Sequence, residues 1–167
     1  MKKLFAALLV SGLTLSGFSA TNVEAASGNS IQSVEQLEQG DQELEGAELG
    51  ASIETVLENN KKPLYSYSPD GDEHYYEFKK DNGVLIVTAD GKKGKGKILR
   101  ASMVYNEPNG PSFNEVKKEV SNKASAREHY NDVTGNIGYI QDDNLSYQFT
   151  TTSPDDKDIK LYRIDLS

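Results

Sequence analysis

Residues 74–88, HYYEFKKDNGVLIVT, contain the clearest structural signal in the chain. Two strand-like runs, His74 to Lys79 and Val84 to Thr88, flank the sequence Lys80-Asp81-Asn82-Gly83. Asn-Gly between two such runs favours the tight turn of a β-hairpin, because both residues accept the positive φ angles that this turn needs. We therefore predict two antiparallel strands here. Ile98 to Tyr105 predicts a third strand, after a connection rich in glycine and lysine.

Two amphipathic segments predict short helices. In the first, Ser52 to Leu57, the apolar residues fall on one face, and Pro63 ends the segment. The second begins near Pro111, where Ser112 and Glu115 have the spacing of a capping box, in which each residue bonds a free amide of the first turn. Three strand-like runs follow the second helix, as three follow the first: Ile137 to Gln141, Leu145 to Thr151 and Ile159 to Leu166.

The order of one helix and three strands therefore occurs twice. Ser52 and Ser112, which begin the two predicted helices, are 60 residues apart. We predict an α+β fold of two helix-plus-antiparallel-meander units, at about 50–107 and 108–167, because one helix cannot cover a three-stranded sheet well. The two units would form one sheet with the helices packed on one face. The other face would be open to solvent or to a partner.

The residues of both units resemble a known module. Gly50-Ala51-Ser52-Ile53-Glu54-Thr55-Val56, followed by Pro63, a tyrosine-rich strand, an Asn-Gly hairpin and a closing strand, resembles the β-lactamase-inhibitor-protein-like (BLIP-like) fold. Pro111 to Val120 and the strands after it are similar to a second module. Tandem pairs of this kind are similar to exported proteins of the YjgB type from Gram-positive bacteria, whose function is largely unassigned. The resemblance covers about residues 50–166, and it marks no inhibitory residue in this chain.

Residues 1–25 have the three-part pattern of a secretory signal peptide. Lys2 and Lys3 precede an apolar stretch from Leu4 to Leu15. Val23-Glu24-Ala25 then places small residues three before and one before a cut, which would leave Ala26 as the new N-terminus.

Alternatives to this cut are weaker. A cut after Ala20 would put Phe18 where a small side chain is preferred.

A membrane anchor is disfavoured, because the apolar stretch is about half the ~20 residues that cross a bilayer. We therefore predict a secreted protein with no membrane span, and loose association with the cell wall remains open. The chain has no cysteine, so it has no disulfide and no lipid-modified cysteine.

The negative charge of the chain is concentrated near the start of the mature protein. Net charge is −8, yet residues 26–60 contain eight acidic residues and no lysine or arginine. We interpret residues 26–49 as an acidic, flexible leader, although Ile31, Val34 and Leu37 have helical spacing and leave a short helix open as an alternative. We expect no nucleic-acid partner, because such a protein repels phosphates.

The connection at 91–97 is the most basic segment, with the sequence Gly91-Lys92-Lys93-Gly94-Lys95-Gly96-Lys97. It matches the first part of a phosphate-binding P-loop. However, the motif needs Ser or Thr next and then a helix, whereas Ile98 follows and opens a strand. We interpret the segment as a mobile basic hairpin tip. The candidates for contact with an anionic polymer are Lys92, Lys93, Lys95 and Lys97.

No motif for catalysis or metal binding is present. His74 and His129 are the only histidines, and neither has ligands at a spacing typical of zinc sites. The acidic turns at 70–73 and 155–158 lack the spacing of an EF-hand, and the chain has no G-x-S-x-G sequence. We therefore predict no enzyme, no catalytic residue, no metal and no cofactor.

The nine tyrosines are the remaining candidates for binding. Tyr75 and Tyr76 are adjacent in a predicted strand, so their side chains must point to opposite faces of the sheet. One of them should reach the open face, where tyrosine suits a protein interface. The leading hypothesis is a secreted, non-catalytic binding module, protein-binding or inhibitor-like, with exposed tyrosines clustered on one side. The alternatives are a cell-envelope protein that contacts an anionic polymer through the lysine-rich hairpin, and an unrecognised enzyme with a pocket at His74 or His129.

Overall fold

The structure is a computed structural model that describes residues 26–60 and 62–167. The predicted signal peptide, which ends at Ala25, lies outside the described residues. No helix within the described ranges combines the length and the apolar character that crossing a bilayer requires. The chain contains no cysteine, so no disulfide contributes to its stability.

The described residues form three helices and ten strands. The helices are α1 (Ile31–Glu38), α2 (Ile53–Asn59) and α3 (Phe113–Glu119). Strands β1 (Glu43–Leu44) and β2 (Ala47–Glu48) form a small separate hairpin. The other strands are β3 (Leu64–Tyr67), β4 (His74–Lys80), β5 (Gly83–Ala89), β6 (Ile98–Tyr105), β7 (Ser125–His129), β8 (Ile137–Asp142), β9 (Leu145–Thr150) and β10 (Lys160–Leu166).

Strands β3 to β10 form one eight-stranded antiparallel sheet in the order β3-β4-β5-β6-β10-β9-β8-β7. The predicted α+β class and the hairpin at residues 74–88 are confirmed, with β4 paired to β5 from His74–Ala89 to Lys80–Gly83. The predicted Asn-Gly turn is wrong in detail, because the turn residues are Asp81 and Asn82, Gly83 begins β5, and neither Asn82 nor Gly83 has a positive φ. Strand β7 was not predicted. Its five residues are mostly polar and exposed at the edge of the sheet, so they carry no alternation of apolar side chains.

The helix starts are formed by the predicted serines. Ser52 accepts a hydrogen bond from Glu54 N at 3.2 Å. At α3 the capping box is complete: Ser112 Oγ accepts from Glu115 N, and Glu115 Oε2 accepts from Ser112 N at 2.7 Å. Each contact satisfies a donor that the first helical turn leaves free, which stabilises these seven-residue helices.

One face of the large sheet carries the core. The Phe113 ring of α3 packs edge-on against Phe149 of β9, with centroids 5.2 Å apart. Gly138 of β8 makes this approach possible, because an added Cβ would lie 2.8 Å from Phe113 Cδ2. The largest buried side chains of the core are Tyr76, Tyr147, Phe78, Phe113 and Phe149.

The acidic leader is part of this core, so the prediction of a flexible segment at 26–49 is wrong. Helix α1 packs against α3, and the buried apolar residues of the segment are Ala26, Val34, Leu37, Leu44 and Ala47. The physical reason is the width of the sheet. Eight strands span about 34 Å, whereas a helix of seven residues is about 10 Å long, so two such helices leave apolar surface uncovered. The short-helix alternative at 31–39 corresponds to α1.

Truncating the buried face of α1 tests this packing. Leu37→Ala should lower the free energy of unfolding by about 2–4 kcal/mol, because it removes a buried side chain and leaves a cavity. Exposed Gln32 on the same helix is the matched control, and Gln32→Ala should change stability by about 0.5 kcal/mol or less. Urea denaturation of both variants measures the difference. Equal stabilities of the two variants would contradict the packing of α1 and would support the prediction of a flexible leader.

Candidate functional site

The face of the sheet opposite the helices is uncovered by any described element, and it is called the open face here. Cross-strand pairing puts Val84 opposite Val104, and Ile86 opposite Ser102, on this face. These three apolar side chains do not belong to the core cluster. The open face also carries Tyr75 on β4, Ser146 and Gln148 on β9, Arg163 and Asp165 on β10, and Ile137 and Tyr139 on β8.

A hydrogen-bond network around Asp165 occupies the centre of the open face. Its carboxylate accepts from Ser102 Oγ at 2.5 Å, from Ser146 Oγ at 3.1 Å and from Gln148 Nε2 at 3.2 Å. Arg163 donates to the same carboxylate through Nε and Nη2, at 2.8 and 2.7 Å. The four donors come from three neighbouring strands, β6, β10 and β9. The network therefore holds these side chains in one arrangement.

The most exposed apolar side chains of the open face lie on β8, beside this network. Ile137 is 55% exposed and Tyr139 is 40% exposed. Strand β7 places His129 opposite Ile137 and Arg127 opposite Tyr139. Arg127 has no ion pair with a described residue. This corner of the face thus combines apolar surface, an aromatic ring and an unpaired positive charge.

The predicted pair Tyr75 and Tyr76 divides between the two faces, as adjacent strand residues must. Tyr76 is 2% exposed and its hydroxyl accepts from Gly94 N at 2.7 Å, so it cannot contact a partner. Tyr75 lies half-buried on the open face and donates to Glu73 Oε2 at 2.9 Å. Arg100 bonds the same carboxylate at 2.6 Å and, with Tyr75, holds the pKa of Glu73 below its usual value.

The exposed tyrosines are not clustered as expected. Tyr75 on β4 and Tyr139 on β8 share the open face, but five inter-strand spacings separate them, or about 24 Å. Tyr67 is exposed at the edge of the opposite face, and Tyr105 and Tyr147 are buried. Half-buried Tyr162 of β10 donates to Gln148 Oε1 at 3.2 Å on the same face, and Gln148 pairs with Tyr139. A binding surface at this corner therefore involves Tyr139 with Tyr162, but not Tyr75.

The basic connection, residues 90–97, is here called the lysine loop. Lys92, Lys93, Lys95 and Lys97 are all exposed, and none has an ion pair with a described residue. The backbone of the loop is tied at several points, so the interpretation as a mobile tip is wrong. Asp90 Oδ1 accepts from Lys97 N at 2.7 Å, Ile53 N donates to Gly96 O at 2.9 Å, and Tyr76 holds Gly94.

Aromatic side chains support one side of the lysine loop. Lys93 Nζ lies 4.1 Å from the centre of the Tyr65 ring, which is a cation–π distance. The Tyr65 hydroxyl bonds Nδ1 of His74 at 2.8 Å, and Nε2 of His74 bonds the Gly91 carbonyl at 3.0 Å. His74 is thus a buried structural residue that links β4 to the loop. His129 is exposed on the edge strand β7.

A carboxyl pair that sequence reasoning missed consists of Glu38, the last residue of α1, and Asp142, the last residue of β8. Tyr147 donates to Glu38 Oε1 at 2.7 Å, and Asp142 accepts from Ser121 N and Ser121 Oγ at 2.5 and 2.7 Å. Glu38 and Asp142 both line a cavity of about 230 Å³. Burial, opposed by the Tyr147 bond and reinforced by Asp142, raises the pKa of Glu38 to about 7. Below about pH 7 the carboxyl of Glu38 is therefore mostly protonated and uncharged beside Asp142.

The described residues contain no group of three or more His, Cys, Asp or Glu side chains placed to hold a metal ion.

A family model covers the chain from residue 1 to residue 167 and carries the description SA0570-like. The chain belongs to the SA0570-like family. A search of curated proteins and a search of solved structures each found no match. The open face, the lysine loop and the Glu38–Asp142 pair are therefore features of an SA0570-like chain.

The Glu38–Asp142 pair predicts how the stability of this SA0570-like protein depends on pH. The pKa of Glu38 is about 7 when folded and near 4.5 when unfolded, so ionisation of Glu38 disfavours the folded state. Its contribution is complete below pH 4.5 and is lost as the pH rises through 7. Glu38→Gln places a side chain of the same shape and no charge beside Asp142 and should remove this loss.

Urea denaturation from pH 4 to pH 8 measures the effect. The two proteins should be about equally stable at pH 4, and Glu38→Gln should be more stable by about 1–2 kcal/mol at pH 8, after discounting for the partial exposure of Glu38. Parallel stability curves for wild type and variant would contradict the assignment. Glu35→Gln on the same helix is the control, and its free energy of unfolding should depend on pH in the same way as that of the wild-type protein.

Proposed function

We propose that this protein is exported by its signal peptide and acts outside the cell as a non-catalytic binding protein, with the open face taking a protein partner. The observation that carries the proposal is the Asp165 network beside exposed Ile137 and Tyr139. A surface whose side chains are already held in place loses little conformational entropy on binding. Tyrosine and arginine are also the residue types that contribute most at protein interfaces.

The charge of this corner indicates which side chains a complementary partner would carry. Arg127 lies next to Tyr139 and has no ion pair with a described residue, whereas Arg163 is already paired with Asp165. A complementary partner surface would carry a carboxylate for Arg127 and an apolar side chain for the strip of Ile137 and Tyr139. An inhibitor-like mode, in which the face covers a site on the partner, is one form of this function.

We further propose that the chain consists of two similar units of the BLIP-like type. Two features of topology support this. Helix α2 precedes the four-strand meander β3 to β6, and α3 precedes the four-strand meander β7 to β10. In the sheet order, each meander runs from an edge strand to a central strand, and β6 and β10 pair at the centre.

The open face is tested with a double variant that leaves the core unchanged. Wild-type protein, Ile137→Ser/Tyr139→Ala and a control, Tyr67→Ala/Val133→Ser, are used to capture partners from envelope and host extracts. Tyr67 and Val133 are exposed side chains of the same kinds: Tyr67 lies on the opposite face of the sheet, and Val133 lies in the connection between β7 and β8 rather than on a strand. Circular dichroism confirms that each variant is folded.

A partner captured by wild type and by the control, but lost with Ile137→Ser/Tyr139→Ala, is then identified and purified. Its dissociation constant should rise about 30-fold or more for the open-face variant, which corresponds to about 2 kcal/mol at a hot spot. A partner that binds all three proteins equally would contradict the proposal, as would equal loss with both variants.

The lysine loop supports a second function, contact with an anionic polymer of the cell envelope. Four exposed lysines lie on a backbone that is fixed to β4 and α2, and one of them is held over Tyr65. A fixed array concentrates positive charge on a chain that is otherwise acidic, with net charge −8. The array is the kind of surface that contacts phosphate or carboxylate groups repeated along a polymer.

Charge removal tests this second function. Replacing Lys92, Lys93, Lys95 and Lys97 with Gln should abolish co-sedimentation of the protein with purified cell walls at low salt, where such contacts are strongest. The matched control replaces four other exposed lysines, Lys79, Lys117, Lys118 and Lys123, and removes the same net charge. Equal sedimentation of the two variants would rule out a specific role for the lysine loop.

A further inference from the structure

The first residues of the predicted mature chain are built into the fold. Ala26 is buried, its carbonyl accepts from Glu45 N at 3.0 Å, and it forms a parallel bridge with Leu44 of β1. Two residues on, Gly28 N donates to Glu45 Oε1 at 2.7 Å. The backbone of this segment is therefore held against the β1–β2 hairpin from its first residue.

The nitrogen of Ala26 faces a carboxylate. Ala26 N donates to Asp41 Oδ2 at 3.1 Å, and the other oxygen of Asp41 accepts from Glu43 N at 3.0 Å. Asp41 is thus held in place by the hairpin and aimed at the one backbone nitrogen that cleavage after Ala25 would convert from an amide to an amine.

The surroundings of Asp41 are short of positive charge. Glu43 and Glu48 face each other across the hairpin, and residues 26–60 contain no lysine or arginine. Burial first, then the charges of Asp41 and Glu48, raise the pKa of the Glu43 carboxyl. One cation placed at Ala26 N would be attracted by these carboxylates, whereas the neutral amide of the uncleaved chain is not.

We propose that cleavage between Ala25 and Ala26 creates an α-ammonium group that forms an ion pair with Asp41, so that the processed N-terminus is a structural part of the mature protein. The Asp41 carboxylate would thus bind the terminal ammonium group of its own chain. With an extra residue before Ala26, this nitrogen would remain a neutral amide and the ion pair with Asp41 could not form. The inference depends on export and cleavage but not on either binding surface.

The first arm of the test is the position of the cut. The full chain is expressed in a secreting bacterium, and the N-terminal residue of the protein in the medium is determined by mass spectrometry and N-terminal sequencing. The protein should begin at Ala26. Secreted protein that begins elsewhere, or that keeps residues 1–25, overturns the proposal.

The second arm measures the α-amine itself by NMR titration of secreted protein, or of protein given an Ala26 terminus by a protease in vitro. Its pKa should lie about one unit above the usual value near 7.8, because the charged form is stabilised by Asp41. Asp41→Asn should return the value to normal, and the control Asp72→Asn, at an exposed turn, should leave it raised. A normal value in the wild-type protein overturns the ion pair even if the cut is correct.

Stability gives an independent third arm. Selective acetylation of the α-amine keeps an N–H donor but removes the charge, so the equilibrium constant for unfolding at pH 6.5 should rise about tenfold. In Asp41→Asn the same acetylation should change it less than twofold. Equal effects of acetylation in both proteins would contradict the ion pair, since they would show that the added group acts without Asp41.

Discussion

The pairing of β6 with β10 is the contact on which both faces of the sheet depend. In this register Ile164 lies opposite Met103 and points into the core, while Asp165 lies opposite Ser102 and points to the open face. A slip by one residue would reverse every side chain of β10, which would bury Asp165 and Arg163 and expose Ile164 and Leu166. The core and the hydrogen-bond network therefore specify the same register from opposite sides.

The size of this sheet explains the role of the acidic N-terminal segment. Two seven-residue helices cannot cover eight strands, and α1 with the β1–β2 hairpin completes the cover. The cost is a set of carboxyl groups close to apolar surface. Glu38 accepts a hydrogen bond from Tyr147, Asp142 accepts from Ser121, and Asp41 accepts from the backbone nitrogens of Ala26 and Glu43. Acidic residues here serve the fold as hydrogen-bond acceptors as well as surface charge.

The two candidate binding surfaces share one property, which is that each is fixed by contacts to the sheet. Arg163 and Gln148 are held by Asp165, and the lysine loop is held by Tyr76 and α2. The surfaces differ in chemistry, because the corner at Tyr139 is apolar with one free cation and the lysine loop is strongly basic. They also lie on different strands, so a protein partner and an anionic polymer could be bound by separate parts of one chain.

The sequence by itself determined the local elements of this SA0570-like protein. The hairpin at residues 74–88, the capping box at Ser112 and the opposite directions of Tyr75 and Tyr76 follow from the properties of neighbouring residues, which act over a few positions. The tertiary structure decided the features that depend on contacts between residues far apart in the chain. Strand β7 is polar and becomes a strand only by pairing with β8, and the Glu38–Asp142 pair joins residues more than 100 positions apart. The leader looked flexible because its charge is a local property, whereas the uncovered sheet face that orders it is formed by the whole chain.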